Sequence, residues 1–487
     1  MKKILFTFLL AASFMSCKNS SEEKTDAKTP ELSINYEKIT LDNGLEVVFH
    51  VDKSDPVVAV ELMVHVGSAR EIEGRTGFAH LFEHLLFLES ENLGKGGLDK
   101  MTARIGGSGA NGSTSRDRTN YLQTVPKDAL EKMIWAEADK LGWFINTVTE
   151  PVLAKEKQVV KNEKRQSVDN RPYGHNQYVI GKNLYPKDHP YNWQVIGSLE
   201  DLQNATLEDV KTFFKKWYVP NNSTLVLSGD IDVAQATKWV HKYFDEIPRG
   251  TEEIPALVKR PGKVDKMKSL YYEDNFARVP QLTMVWPSVA QYDKDSYALE
   301  VLTQYLSDGK SAPLNQFLID DLKLTSNTTM YNYASEIAGE TQLVVRAFEG
   351  IHLEDVKTGI EKAFAKFEAE GISEKDLNRI KAGQETNFYS SLSSVLGKGT
   401  NLASYNTYTG NPGFVTEDIK STLAVTSADV MRVYNQYIKG KNYVATSFVP
   451  RNAANLALKG AVLADVVEEQ IVIGAEEKFD PKIAATY

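Results

Sequence analysis

Apolar positions along the chain alternate between a two-residue and a roughly four-residue period, so strands and helices are expected in mixed order. Leu41 to Val66 predicts a hairpin: L-D-N-G-L-E-V-V-F-H-V, a turn at Asp55-Pro56, then V-V-A-V-E-L-M-V-H-V. An earlier tight turn is marked by Asp42-Asn43-Gly44. Thr76 to Phe87, T-G-F-A-H-L-F-E-H-L-L-F, predicts a helix that is apolar apart from three polar side chains. Lys127 to Phe144 reads as an amphipathic helix whose Trp135 and Trp143 are most simply core. At Thr149-Glu150-Pro151 an N-cap residue, an acid and an early proline predict the start of another helix. Thr206 to Tyr218 is a capped helix, followed by a turn and a strand in V-P-N-N-S-T-L-V-L-S-G-D-I-D. Val233 to Phe244 is helical again.

Pro248 to Lys268 is rich in Pro, Gly and charge and reads as a linker, after which the pattern restarts. Pro280 to Trp286 parallels the strand Pro56 to Val64, and Asp295 to Leu306 takes the place of the Thr76–Phe87 helix. The chain has 487 residues, too many for one hydrophobic core. The expectation is an α+β protein: two homologous α/β-layer domains in tandem, with antiparallel sheets flanked by helices. These would span residues 36–248 and 269–470, joined by a linker at 249–268.

The chemistry concentrates on the apolar helix. His80 and His84 are four residues apart and so share a face, one turn from each other. Glu83 lies beside them, placed to touch a metal-bound water rather than the metal. Burying two imidazoles and a carboxylate without partners is costly, and a metal with its water would satisfy all three. The blander reading is a pair of histidines satisfied by backbone carbonyls. The order H-x-x-E-H inverts the common zinc-peptidase helix, and a catalytic zinc wants three protein ligands with one position left for water. On the helix opened by Thr149, Glu156 and Glu163 are seven apart and share a face.

With these residues in place the sequence resembles the pitrilysin family of zinc peptidases, which includes insulinase and the mitochondrial processing peptidase. That family carries G-x-A-H-x-x-E-H-x-x-F, matched here by Gly77, Ala79, His80, Glu83, His84 and Phe87. Downstream it carries two glutamates with the spacing of Glu156 and Glu163. The resemblance implies one zinc per chain held by His80, His84 and Glu163, with Glu156 orienting a ligand and Glu83 as the general base. It further implies a clamshell assembly, peptide substrates, and one live and one blank half. The Gly106–Tyr121 stretch lacks a phosphate-binding Gly-rich signature. Its Asn111-Gly112, Thr114, Thr119 and Tyr121 instead fit a family edge strand that pairs with an extended peptide. Gly109, Ala110, Asn111 and Gly112 are the implied substrate contacts.

One departure stands out. Bacterial relatives carry an Arg and a Tyr in an L-R-E-x-x-G-L-x-Y segment of the second domain that complete the substrate site. Here Ile319 and Ser326 occupy those places in Leu318–Ser326. The expectation is a homologous second subunit, or a second copy, that supplies the pair. The rival is a shifted alignment in which Tyr331 or Tyr333 and Arg346 serve.

The N-terminus, M-K-K-I-L-F-T-F-L-L-A-A-S-F-M-S-C, has the charge and apolar length of a secretory signal, too short to span a bilayer. Cys17, the sole cysteine, stands where a lipoprotein signal puts its lipidated residue, and 18–35 reads as a tether. The expectation is an exported lipoprotein of a Gram-negative bacterium, in the periplasm or on the outer membrane. With net charge −9 and both signs interspersed there is no basic patch to suggest nucleic acid. His50 and His65 read as sheet histidines, and His175 and His189 as loop histidines. Two other classes stay open: a non-catalytic assembly or binding subunit, and a zinc hydrolase of non-peptide substrates.

Overall fold

The computed structural model describes residues 32–467, residue 109 excepted. The signal-like segment, Cys17, tether residues 18–31 and Gly109 therefore lie outside the described residues.

Two six-stranded sheets carry the architecture. The first contains β1 (Glu37–Thr40), β2 (Glu46–Val51), β3 (Val57–Val64), β4 (Asn111–Thr114), β5 (Thr119–Pro126) and β6 (Ser223–Gly229), in the order β1-β2-β6-β3-β5-β4. The second contains β7 (Lys268–Asp274), β8 (Gln281–Ser288), β9 (Thr325–Ala334), β10 (Gly339–Ala347), β11 (Val444–Pro450) and β12 (Val462–Leu463), in the order β12-β7-β11-β8-β10-β9. From the second strand of each order onward the two halves repeat one topology. The helix Lys294–Ser307 follows β8 as the helix Phe78–Leu88 follows β3. The tandem of two sheet-and-helix layers is as the sequence pattern predicts.

The expected hairpin is not. β2 and β3 do not pair, because β6 lies between them, parallel to β2 and antiparallel to β3. β11 likewise runs parallel to β7 and antiparallel to β8, so both sheets are mixed rather than purely antiparallel. The reason is burial: every residue of β6 is buried, which demands a neighbour on each side. Alternation within β2 and β3 reports their faces, not which edges meet. The turn before β2 is as predicted. Gly44 has φ +90°, and Asn43 donates through its side-chain amide to Phe244 O and Ile247 O at 2.7 and 2.9 Å.

Along β3, Val58, Val60, Leu62 and Val64 enter the first core, while Glu61 points the other way. That second face is covered by a helix from the other half of the chain, Val395–Thr409. Its Thr400 donates to the Glu61 carboxylate at 2.6 Å, and its Asn406 donates to Glu46 and Thr224, each at 2.8 Å. Close approach is possible because Gly399 sits over Ser228. The exchange is mutual. Helix Asn176–Leu184, from the first half, packs on β11 and β8, and its Asn176 bridges Thr283 and Thr446 at 3.1 and 2.6 Å. Each half thus finishes the back of the other's sheet.

Glu61 is 1% exposed, and burial pushes its carboxyl above the usual range. Thr400→Val keeps the shape and removes a donor to this buried group. Urea unfolding is expected to show a loss of about 1–3 kcal/mol.

Candidate active site

The helix Phe78–Leu88 buries Phe78, Ala79, Leu81, Phe82, Leu85 and Leu86, which leaves one face for its polar groups. It starts at Gly77, whose φ of +87° and close approach to Ile196 O admit no side chain at ease. A glycine cannot cap with a side chain, so the orphan amides find a partner upstream. The carboxyl oxygens of Glu71 accept from Gly77 N at 3.0 Å and Ala79 N at 2.9 Å. Burial pushes the Glu71 carboxyl up to about 8, against the pull of those amides. Asp201 accepts both the backbone N–H and the hydroxyl of the adjacent Thr76, at 2.9 and 2.6 Å. Neither acid stands out in the sequence. The available signal for Glu71 was a helix opening on Gly with no capping side chain.

His80 and His84 face one direction, their ring centroids 4.7 Å apart. The helix Glu150–Lys164 crosses this face and contributes both of its spaced acids. Thr149 occupies the N-cap position in extended conformation, although its side chain makes no cap hydrogen bond. Glu163 places Oε2 3.0 Å from His84 Nε2 and Oε1 3.6 Å from His80 Nε2. Glu156, 4% exposed, contacts His84 Nδ1 at 3.1 Å through Oε1. Beyond Lys164 the helix widens by one residue, with Asn170 N donating to Arg165 O at 2.7 Å. Glu83 accepts a hydrogen bond from the Thr114 hydroxyl at 2.6 Å through Oε2.

The electrostatics separate the two imidazoles. Burial is the main force on His80 and lowers its pKa, with Glu163 opposing. The hydrogen bond to Glu156 is the main force on His84 and raises it, with burial opposing. Glu156 thus holds the Nδ1 proton of His84 and turns its Nε2 toward Glu163. One donor atom from each of His80, His84 and Glu163 lies within 4.8 Å of the others. Two nitrogens and one carboxylate oxygen at that spacing suit a single zinc with an open position.

β4 is one edge of its sheet and, among the described residues, pairs with β5 alone, through Asn111↔Leu122 to Thr114↔Thr119. Asn111 is exposed, and its side-chain oxygen accepts from Gly112 N at 2.9 Å. A Cβ on Gly112 would meet Asn120 O and the Phe87 ring at 3.0 Å, so the strand lies tight against the histidine-bearing helix. Ala110 packs on the first core. Ile319 lies in a widened helical turn and Ser326 is exposed on β9. Tyr331 and Tyr333 line a cavity that also touches Thr114, whereas Arg346 lies 4.4 Å over the Tyr173 ring and donates to Gln281. Among the other histidines, His50 bonds Asn35 O, His65 pairs with Glu336 at 2.7 Å, and His189 bonds Arg260 O.

Residues 46–185 match the family model described as insulinase (peptidase family M16), and residues 204–384 match the one described as the peptidase M16 inactive domain. The chain belongs to the insulinase, or pitrilysin, family M16. Among curated relatives it is 29% identical to the zinc protease PqqE of Helicobacter pylori over 406 residues, 83% of this chain and 90% of that one. A solved protease from Helicobacter pylori superposes with a TM-score of 0.79 at 28% identity, covering 86% of this chain and all of that one. The periplasmic protease PqqL of Escherichia coli shares the fold, with TM-score 0.71 at 19% identity. This M16 chain spans about half of that protein, 49%.

Two measurements probe the site. Glu156→Gln removes the acceptor that orients His84, and competition with a chelating dye is expected to show zinc held about 10- to 100-fold more weakly. For Glu71, whose native pKa of about 8 exceeds the ordinary 4.5, the folded state holds a proton that the unfolded state has released. Its contribution to stability therefore falls as pH rises between those values. Melting curves should show the parent losing stability relative to Glu71→Gln across that window.

Proposed function

We propose that this chain is a zinc-dependent endopeptidase acting on peptides or unfolded polypeptides bound in extended form. The observation that carries the reading is the convergence of His80 Nε2, His84 Nε2 and a Glu163 carboxylate oxygen, with Glu83 alongside. Names of relatives such as the zinc protease PqqE support it. His80, His84 and Glu163 would hold one zinc per chain, which when bound supplies Lewis acidity and lowers the pKa of its water. Glu83 keeps Oε2 on the Thr114 hydroxyl, so Oε1 is the atom that takes up a proton and returns it to the leaving amine. Glu156 orients His84. The backbone groups of Asn111 and Gly112 on the edge strand β4 offer an edge for the substrate to extend; Ala110 beside them, and Gly109, which lies outside the described residues, complete the contacts that the family resemblance implies.

The substrate side is incomplete at Ile319 and Ser326, which supports a homologous second subunit, or a second copy, supplying an Arg and a Tyr. The N-terminal signal supports export to the periplasm or outer membrane with lipidation at Cys17. A non-catalytic assembly role is the second reading, favoured by the inactive-domain description that the second half matches. The intact donor set weighs against it.

Zinc analysis and peptide cleavage by the purified chain, beside Glu83→Gln and Glu163→Gln, test the proposal. Glu83→Gln is expected to keep zinc near one per chain and to lose activity by about 10²–10⁴-fold. Glu163→Gln is expected to lose the metal. Mixing with a homologue that lacks the histidine pair should raise the rate. Bound zinc with no hydrolysis in any combination would favour the assembly role.

A further inference from the structure

Beyond Thr114 the chain turns through Ser115 and Arg116, and a cavity of about 400 Å³ opens there between the two sheets. Thr114 is shared: its hydroxyl holds Glu83, and it also lines this cavity. The charged groups of the wall are matched to each other. Arg116 Nη1 lies 2.7 Å from Glu340 Oε1, and Tyr185 and Gln342 donate to the same carboxylate at 2.9 and 2.7 Å. Glu340 is 1% exposed. A charged side chain entering here would surrender its hydration and find no free counter-charge.

The remaining wall holds five rings beside neutral polar side chains such as Gln177, Asn192 and Gln194. Tyr178, Tyr191 and Trp193 come from the first half, and Tyr331 and Tyr333 from β9. The last two are separated by one residue on an edge strand, so they share a face. They stay 36% and 47% exposed, although large side chains beside a cleft gain from cover. Tyr331 is held in place by donating to Gln342 at 2.9 Å. Arg116 stacks 5.7 Å from the Tyr333 centroid and 4.7 Å from that of Tyr191. The cleft is therefore a set of fixed rings with a neutral polar floor. Offset and edge-on ring contacts favour an aromatic guest over an aliphatic one of similar area.

We propose that this cavity is a side-chain pocket for an aromatic residue of the bound peptide, with Tyr331 and Tyr333 as its specificity-determining residues. A strand added to β4 sends alternate side chains to one side, and the one level with the Thr114 end meets the cavity mouth. The pocket needs both halves of one chain and no residue from a partner. It rests on the peptidase reading only for the direction in which the peptide lies.

The test uses the zinc-loaded Glu83→Gln chain as a binder of short unstructured peptides. A Phe, Tyr or Trp is scanned along a common sequence, each peptide beside its Leu counterpart, with dissociation constants from fluorescence anisotropy. At one register the ring-bearing peptide is expected to bind about tenfold more tightly than the Leu form. Adding Tyr331→Ala and Tyr333→Ala should erase that ratio, weakening the ring-bearing peptides more than their Leu counterparts. Tyr331→Phe with Tyr333→Phe should keep the ratio. If the double alanine chain does not fold, Tyr333→Ser, at the more exposed ring, should lower the ratio by itself. An unchanged ratio in the alanine or serine variants, no ring preference at any register, or no peptide binding would overturn the proposal. A wild-type chain that binds these peptides yet leaves them intact would count against hydrolysis alone.

Discussion

The cost of placing titratable groups against an apolar helix organises the first half of this protein. Six of the eleven residues of Phe78–Leu88 are buried, so His80, Glu83 and His84 have one face on which to appear. Glu156 and Glu163 meet the imidazoles there, and Thr114 meets Glu83. The same cost recurs at the start of the helix, where buried amides left open by Gly77 are taken by Glu71. Polar groups that would be destabilising alone become a fixed constellation when each has its partner.

That constellation depends on the second half through packing rather than chemistry. The helix Val395–Thr409 covers the back of the first sheet and satisfies Glu61, while Asn176–Leu184 covers the back of the second. Because each half finishes the other's sheet, the halves form one body, and the ring-lined cavity between them has a defined shape. β4 and β9, each an edge strand of its sheet, both reach that cavity. The second half carries no counterpart of the histidine pair on Lys294–Ser307, yet it contributes the walls beside Thr114.

Much of the site was legible in advance because its signals are local. Four-residue spacing puts His80 and His84 on one face whatever surrounds them, and seven-residue spacing does the same for Glu156 and Glu163. The turn at Asn43-Gly44 and the restart after the linker were equally readable, whereas the edge position of Asn111–Thr114 came from the family resemblance. Partners distant in sequence were less so. Glu71 is one acid among 65, and only the folded chain shows it capping the histidine helix. Thr114 figured as part of a strand pattern, without its hydroxyl on Glu83. The pairing of His65 with Glu336 joins residues on different halves, which no spacing could announce.

The sequence by itself determined the elements, their faces and the chemistry offered by one helix, because those follow from periodicity and side-chain type within a few turns of chain. Tertiary structure alone decided which strands are neighbours. A strand's alternation names its buried face but not the partner at its edge, so the expected β2–β3 hairpin gave way to a sheet with the fully buried β6 inserted between them. Tertiary structure also decided that two helices would trade sheets and that Arg116, Tyr331 and Tyr333 would gather at one cavity. Both outcomes are settled by burying surface between segments hundreds of residues apart, a balance to which local pattern is blind.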